Sequence, residues 1–87
     1  MKNYIKVERF KDELISGPVS GIVKINDLVE VYDILNNPLG LYSHIEAISL
    51  FGIHYDYIED GTSASFYIPG IEANVLDKGY KIVVVGE

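Results

Sequence analysis

The sequence predicts an α+β domain, with a four- to five-stranded, mainly antiparallel sheet and two short helices on one face. Three observations support this prediction. Several segments alternate apolar and polar residues, two segments combine helical spacing with capping residues, and a length of 87 residues suits a small single domain over 1–87.

The first third of the chain predicts two strands separated by a loop. Residues 4–7 are expected to form a strand, although three apolar residues nearby also fit helical spacing, and a turn is expected around 11–13. The segment SGPVSG at 16–21 is expected to be a connector, because two glycines and a proline interrupt regular structure. The alternation over 19–25 predicts the second strand.

Two short helices are predicted next. The first begins at Asp27, with Glu30 in the position of a capping-box acid, and ends at an Asn-Asn-Pro sequence. The second begins at Ser43, with Glu46 as the box partner, and Gly52 fits the residue that follows a helix. The residues expected to face the core are Leu28, Val31, Tyr32 and Leu35 in the first helix and Ile45, Ile48 and Phe51 in the second.

A β-hairpin is predicted at 53–68. Asp60-Gly61 is a favoured two-residue turn, because both central positions require positive φ. A register that pairs Tyr57 with Ala64 gives one face, which we interpret as the core face, composed of Ile53, Tyr55, Tyr57, Ala64, Phe66 and Ile68. The opposite face carries His54, Asp56, Ser63, Ser65 and Tyr67.

The last part of the chain predicts one clear strand. Residues 71–76 fit a short helix and a strand equally well, and both alternatives stay open. Residues 80–85 are expected to form a strand, and their run of three valines predicts burial on both faces and a central position in the sheet.

Charge is distributed unevenly along the sequence. The net charge is −6, which argues against direct binding of nucleic acid, because phosphate neutralisation requires clustered Lys and Arg. Between 25 and 77 there are nine carboxylates and no Lys or Arg. We interpret this asymmetry as a feature for a basic protein partner. The residues expected to bind that partner are Asp27, Glu30, Asp33, Asp56, Glu59, Asp60 and Tyr67.

Catalytic and metal sites are not predicted. His54, Asp56 and Ser65 have the residue types of a nucleophilic site, but a flat two-stranded surface offers no oxyanion hole and no pocket. His44 and Glu46 are expected on different faces of the second helix, so they are not expected to share a metal ion. No cofactor is expected, and SGPVSG matches no phosphate-binding loop.

The lack of cysteine, of a signal peptide and of a long apolar run predicts the cellular compartment. The chain has no cysteine, which excludes disulfides and thiol chemistry and favours a reducing compartment. Its first residues carry charges every few positions, so they are not expected to act as a signal peptide, and no apolar run is long enough for a bilayer. A cytoplasmic protein without membrane contact is expected.

These observations favour a protein-binding role without enzymatic activity. The main hypothesis is an inhibitor or antagonist that docks on a basic surface of a partner protein, such as a surface that binds nucleic acid, as phage-encoded anti-defence or immunity proteins do. The alternative is a structural or regulatory subunit that forms a homo-oligomer such as a homodimer. It follows from a hydrophobic content of 48%, which is high for so small a core.

Overall fold

A computed structural model describes residues 1–86 and shows a protein built almost entirely of β-strands, with a single 3₁₀ turn at Ala73–Val75. No helix among these residues has the length and apolar character needed to cross a bilayer. The strands are Tyr4–Lys6 (β1), Arg9–Lys11 (β2), Leu14–Ser20 (β3), Ile22–Lys24 (β4), Leu28–Tyr32 (β5), Pro38–His44 (β6), Ala47–Leu50 (β7), Ile53–His54 (β8), Tyr57–Glu59 (β9), Ser63–Tyr67 (β10) and Lys81–Val84 (β11).

The main sheet bends back on itself through the segment that joins β6 to β7. Its order is β6-β5-β11-β1-β3-β10-β7-β8, and every pairing is antiparallel. β6 and β7 are separated only by Ile45 and Glu46, yet β6 pairs with β5 and β7 pairs with β10 and β8. One end of the sheet, β6, is therefore connected by a two-residue bend to β7, which lies next to the other end strand, β8.

A second bend allows the chain to cross over itself. β1 and β2 both pair with β3, and the bend between them passes over Gly17. A Cβ atom at Gly17 would lie 1.8 Å from the carbonyl oxygen of Lys6, so only glycine fits there. β4 and β9 form a separate two-stranded ribbon beside the main sheet.

The core is aliphatic and contains no buried polar side chain among the described residues. The inward positions of each strand alternate with outward ones, as in Val29 and Val31 of β5 and Ile82 and Val84 of β11. Phe66 of β10 is the largest fully buried side chain. The interior is filled by side chains of strands that are far apart in sequence.

The predicted α+β class is wrong, and the first predicted helix is strand β5. Val29 and Val31 are buried, whereas Leu28 is 64% exposed and Leu35 is 76% exposed. The Asp27 carboxylate accepts the backbone N–H of Lys24, three residues before it, at 2.8 Å. Asp27 therefore closes a turn into β5, and the expected cap does not form.

The second predicted helix is the bent segment of β6 and β7. The Ser43 hydroxyl, expected to cap a helix, donates to the carbonyl oxygen of Pro69. Ile45 and Ile48 are buried as expected, but Phe51 is 92% exposed. Gly52, with φ +76°, occupies the second central position of the tight turn between β7 and β8. Ile and Val side chains favour the strand, since they pack well on a pleated surface.

The predicted hairpin at 53–68 is also wrong in its pairing. A turn does form around Gly61, where the Thr62 N–H donates to the carbonyl oxygen of Glu59 at 3.2 Å. The strands on either side of it separate, however: β9 pairs with β4, while β10 pairs with β3 and β7. The inward face is correct for Ala64 and Phe66. It is reversed for 57–59, where Ile58 is the buried residue.

The remaining predictions are partly confirmed. β1 and the turn after β2 lie where expected, but the supposed connector 16–21 belongs mostly to β3. β11 is central, between β1 and β5, while its side chains alternate between the interior and the surface. The segment 71–76 contains only the 3₁₀ turn.

Candidate functional site

An exposed row of large apolar and aromatic residues follows the turn between β7 and β8. We call Phe51, Ile53, Tyr55 and Tyr57 the aromatic strip. All four are exposed, from 39% for Tyr55 to 92% for Phe51. The sequence predicted three of them, Ile53, Tyr55 and Tyr57, as part of the core face of a hairpin. Their exposure is unexpected in a chain whose core is otherwise well filled.

Phe51 has an unfavourable backbone conformation. Its φ angle is +52°, and Gly52 after it has φ +76°, so the two residues form a turn in which both central positions are left-handed. Glycine, asparagine and aspartate are usual in such turns, and a bulky side chain there costs free energy. Because the ring also buries almost no area, folding gains nothing from this phenylalanine.

Two surface hollows flank the strip and meet at Leu50. The first, of about 460 Å³, is lined by Phe51, Arg9 and several serines. The second, of about 520 Å³, is lined by Tyr55 and Tyr57. A ligand group that enters either hollow would contact an aromatic ring.

Charged residues border the strip on the β4–β9 ribbon. Asp56 lies between the two tyrosines, and Glu59 lies opposite Ile22 in the register of β4 and β9. Asp60 accepts the backbone N–H of Gly21 at 2.9 Å. Lys24 lies opposite Tyr57, so three carboxylates and one ammonium surround this part of the surface.

The other predicted acids do not join this border as a single surface. Asp27, Glu30 and Asp33 lie along β5 and at its two ends, a span of about 20 Å at 3.3 Å per residue. Lys24 adjoins Asp27 in the turn before β5, and Lys81 donates to Asn36 in the loop that begins at Asp33. Cations therefore lie among the acids at both ends of the strand.

Asp33 has a structural role in the loop between β5 and β6. Its carboxylate accepts the backbone N–H groups of Leu35 and Asn37, each at 2.9 Å, and the side-chain amide of Asn37 at 3.3 Å. These donors, with the Asn37 backbone N–H as the largest contribution, hold the pKa of Asp33 below its ordinary value.

Tyr67, the remaining predicted binding residue, lies away from the strip. Its hydroxyl donates to Glu13 at 3.2 Å, and this hydrogen bond to the carboxylate raises the pKa of Tyr67 above its ordinary value. The same carboxylate accepts the backbone N–H of Gly70. Glu13 thus ties the end of β10 to the turn before β3.

A polar row crosses the outer face of the sheet. The register places Arg9, Ser16, Ser65, Ser49 and His54 side by side on five neighbouring strands. The hydroxyls of Ser16 and Ser65 are 2.9 Å apart. Within residues 1–86, no hydrogen bond joins His54 to a carboxylate or to a serine, so the row does not have the geometry of a nucleophilic triad.

His44 and Glu46 meet at the bend between β6 and β7. The Nε2 atom of His44 lies 3.1 Å from Oε1 of Glu46. The expectation that they lie on different faces is wrong, because the helix on which it depended is absent. In the part of the chain that the structure describes, no group of three or more His, Asp or Glu side chains converges as metal ligands would.

Part of a longer protein is similar in sequence to this chain. No family model matches the chain. Over 78 residues, 88% of this chain, the sequence is 35% identical to a probable transcriptional regulatory protein of Saccharopolyspora erythraea. The chain spans 31% of that protein's length, so the similarity covers one part of a longer protein.

Proposed function

We propose that the chain is a protein-binding module without catalytic activity, which docks through the aromatic strip onto an apolar surface bordered by basic groups. Phe51 is the observation that carries this proposal. A ring that costs backbone free energy and buries no area is of no use to the isolated fold. Aromatic residues are the usual anchors of protein interfaces, where a few buried rings provide most of the affinity.

The charge around the strip defines the kind of partner. The carboxylates of Asp56, Glu59 and Asp60, with Glu8 in the hollow at Phe51, outnumber the cations Lys24 and Arg9, and the chain as a whole carries −6. Complementary charge accelerates association and selects against acidic partners. A basic border around an apolar centre is therefore the surface that fits best.

The consequence of docking is regulatory. If the basic surface of the partner binds DNA or RNA, this module competes for it, as an inhibitor or antagonist does. The relative from Saccharopolyspora is named as a probable transcriptional regulatory protein, which is compatible with a regulatory role. The absence of cysteine suits a cytoplasmic setting.

The test compares Phe51→Asn with Leu35→Asn. Leu35 is an exposed apolar residue in the loop after β5, outside the strip, and provides a control for lost surface hydrophobicity. Partners captured from source cells are purified, and their affinities for both variants are measured by calorimetry. We expect Phe51→Asn to weaken binding by about thirtyfold or more, as for a hot-spot anchor, and Leu35→Asn to leave it unchanged. Equal affinity of Phe51→Asn and the wild type would overturn the proposal.

Sedimentation equilibrium tests whether a second copy of the chain binds the aromatic strip. A monomer at high concentration agrees with the proposal. A dimer that Phe51→Asn dissociates would overturn it in favour of the homodimer.

The same variant has a predictable effect on stability. Asparagine tolerates left-handed backbone better than phenylalanine, so Phe51→Asn should raise the free energy of unfolding by about 1 kcal/mol. For a domain of this size, that is about 5 °C in the unfolding midpoint. Loss of binding in a more stable protein separates a functional role from a structural one. A lower midpoint would show that the ring stabilises the fold.

A further inference from the structure

The geometry points to a second binding site, a phosphate-binding cleft formed by Lys6, Lys78 and Lys81. It lies on the part of the surface formed by β1, β11 and the loop that precedes β11. The observations that support it are independent of the aromatic strip.

The sheet places two of these lysines directly opposite each other. Lys6 at the end of β1 and Lys81 at the start of β11 are register partners. Directly opposite residues of an antiparallel pair share a face, and like charges at such positions destabilise the sheet. The chain therefore keeps two lysines at directly opposite positions at a cost to the fold.

Lys78 joins them through the backbone hydrogen bonds of the preceding loop. The Gly79 N–H donates to the carbonyl oxygen of Val7, and the Val7 N–H donates to that of Tyr80, each at 2.8 Å. These bonds extend the pairing of β1 and β11 by one residue pair, Val7 with Tyr80, and they hold Lys78 beside the bend that follows Lys6. All three lysines line one surface hollow of about 390 Å³.

The neighbours of the cleft leave its positive charge largely uncompensated. Among the described residues that line the hollow, Glu8 is the one carboxylate, and the Asp77 carboxylate beside it accepts the backbone N–H of Lys78 at 2.8 Å. Lys81 Nζ donates to the neutral Asn36 side chain at 2.8 Å and lies 5.8 Å from the centre of the Tyr4 ring. Within residues 1–86, none of the three lysines forms a salt bridge. In a chain with 13 acidic residues, this grouping of cations is informative.

A phosphate group is the ligand that fits this arrangement. Lysine binds phosphate as a point charge, and three ammonium groups match the two to three negative charges of a phosphate ester or diphosphate. The volume of the hollow is within the range of small-ligand sites. Ile34 forms an apolar wall and, like its neighbour Leu35, is well exposed, so the phosphate can belong to a small molecule or to a lipid headgroup.

The test titrates the full chain with pyrophosphate and follows the backbone amide signals by NMR. Lys6→Gln, Lys78→Gln and Lys81→Gln are compared with Lys11→Gln, a lysine on β2 outside the cleft. We expect saturable shifts at 6–8 and 78–81 in the wild type and in Lys11→Gln. Each cleft variant should bind about tenfold more weakly or worse.

A second arm distinguishes the source of the phosphate. Cosedimentation with phosphatidylcholine vesicles, with and without phosphatidylglycerol, is measured for the same variants. Pyrophosphate binding that the cleft variants lose assigns a soluble ligand. Binding only to vesicles that contain phosphatidylglycerol, again lost in those variants, assigns a headgroup. Absence of both, or an equal loss in Lys11→Gln, would overturn the proposal.

Stability without ligand provides an independent readout. Because Lys6 and Lys81 repel each other, Lys6→Gln should raise the unfolding midpoint at low salt, and 1 M NaCl should remove that difference. A lower midpoint for Lys6→Gln would show that this lysine serves the fold, and the argument from retained repulsion would fail.

Discussion

Replacing Gly17 by alanine should strongly destabilise the protein. The new Cβ atom would lie 1.8 Å from the carbonyl oxygen of Lys6, whereas real Cβ contacts stay above 3.0 Å, so that oxygen must retreat by about 1.2 Å. Such a shift strains the bonds of Val7 with Gly79 and Tyr80 and the 2.9 Å bond from Glu8 N–H to the Ser16 carbonyl oxygen.

The magnitude follows from these contacts. Losing two or three backbone hydrogen bonds at about 1 kcal/mol each, together with displacement of the fully buried Val7, gives about 3–5 kcal/mol. A chain of this length has a total stability of about 4–13 kcal/mol. We therefore expect the unfolding midpoint of Gly17→Ala to fall by about 15 °C or more.

Gly61→Ala is the matched control. Gly61 has φ +85° and open space around its Cα atom, so alanine there adds backbone strain of about 1–2 kcal/mol and no clash. Both variants are unfolded in urea and followed by circular dichroism, since the chain has no tryptophan. The reasoning would be refuted if Gly17→Ala lowered the free energy of unfolding by less than about 1 kcal/mol, or if Gly61→Ala lowered it by more than Gly17→Ala does.

Two further predictions concern the core and the loop between β5 and β6. Ile82→Ala, in the centre of β11, should cost about 2–5 kcal/mol in urea unfolding, and a loss under 1 kcal/mol would mean that the core repacks around it. The pKa of Asp33 is lower in the folded state than in the unfolded state. The ionised carboxylate therefore stabilises the fold fully above the unfolded pKa of about 3.9, and this stabilisation is lost as the pH falls through the lower pKa of the folded state. Asp33→Asn should therefore flatten the decline of the unfolding midpoint between about pH 5 and pH 2, and an unchanged slope would contradict this.

Local patterns identified turns more reliably than strand partners. Gly61 and Asp12 mark turns as expected, because positive φ is a property of one or two residues, although Asp60 does not have the positive φ expected of it. The partners of β10 are β3 and β7, and no pattern within 53–68 specifies them. Alternation correctly placed Phe66 inside, since burial requires only that one face be apolar.

The predicted helices were wrong because the apolar residues of a short segment can fit both the helical and the strand spacing. Leu28, Val31 and Leu35 have helical spacing, but Val29 and Val31 have strand spacing, and only tertiary contacts decide between them. Gly52 is equally suitable after a helix and in a tight turn. The valine pair in a segment of five residues was the signal that favoured a strand.

The misassigned SGPVSG segment shows why proline and glycine are ambiguous markers. In β3, the Val19 N–H donates to the carbonyl oxygen of Thr62, on the β10 side of the strand. Successive residues direct their backbone groups to opposite sides, so the backbone nitrogen of Pro18 is directed to the other side, at the bend between β1 and β2. A missing N–H is tolerated there. Gly17 is needed for the close approach of Lys6. Both residues suit a strand that another segment crosses, a context that the sequence alone does not reveal.

The candidate site was only partly predictable. Asp56, Glu59 and Asp60 were identified from charge, and they do border the proposed docking surface. The strip was missed because Tyr55 and Tyr57 were assigned to a core face. Phe51-Gly52 was the available signal, since an aromatic residue before glycine in a short turn has no structural advantage.

The pairing of β1 with β11 has a kinetic consequence. Tyr4 lies opposite Val83, so this pairing in the middle of the sheet joins residues almost eighty positions apart. Such distant partners must find each other before the sheet is continuous, and domains of this kind fold in milliseconds to seconds, far more slowly than helical bundles. On a ribosome, residues 1–70 would emerge with β1 still lacking one neighbour. Because β11 lies between β5 and β1, the β5–β6 pair joins the rest of the sheet only after β11 has been synthesised.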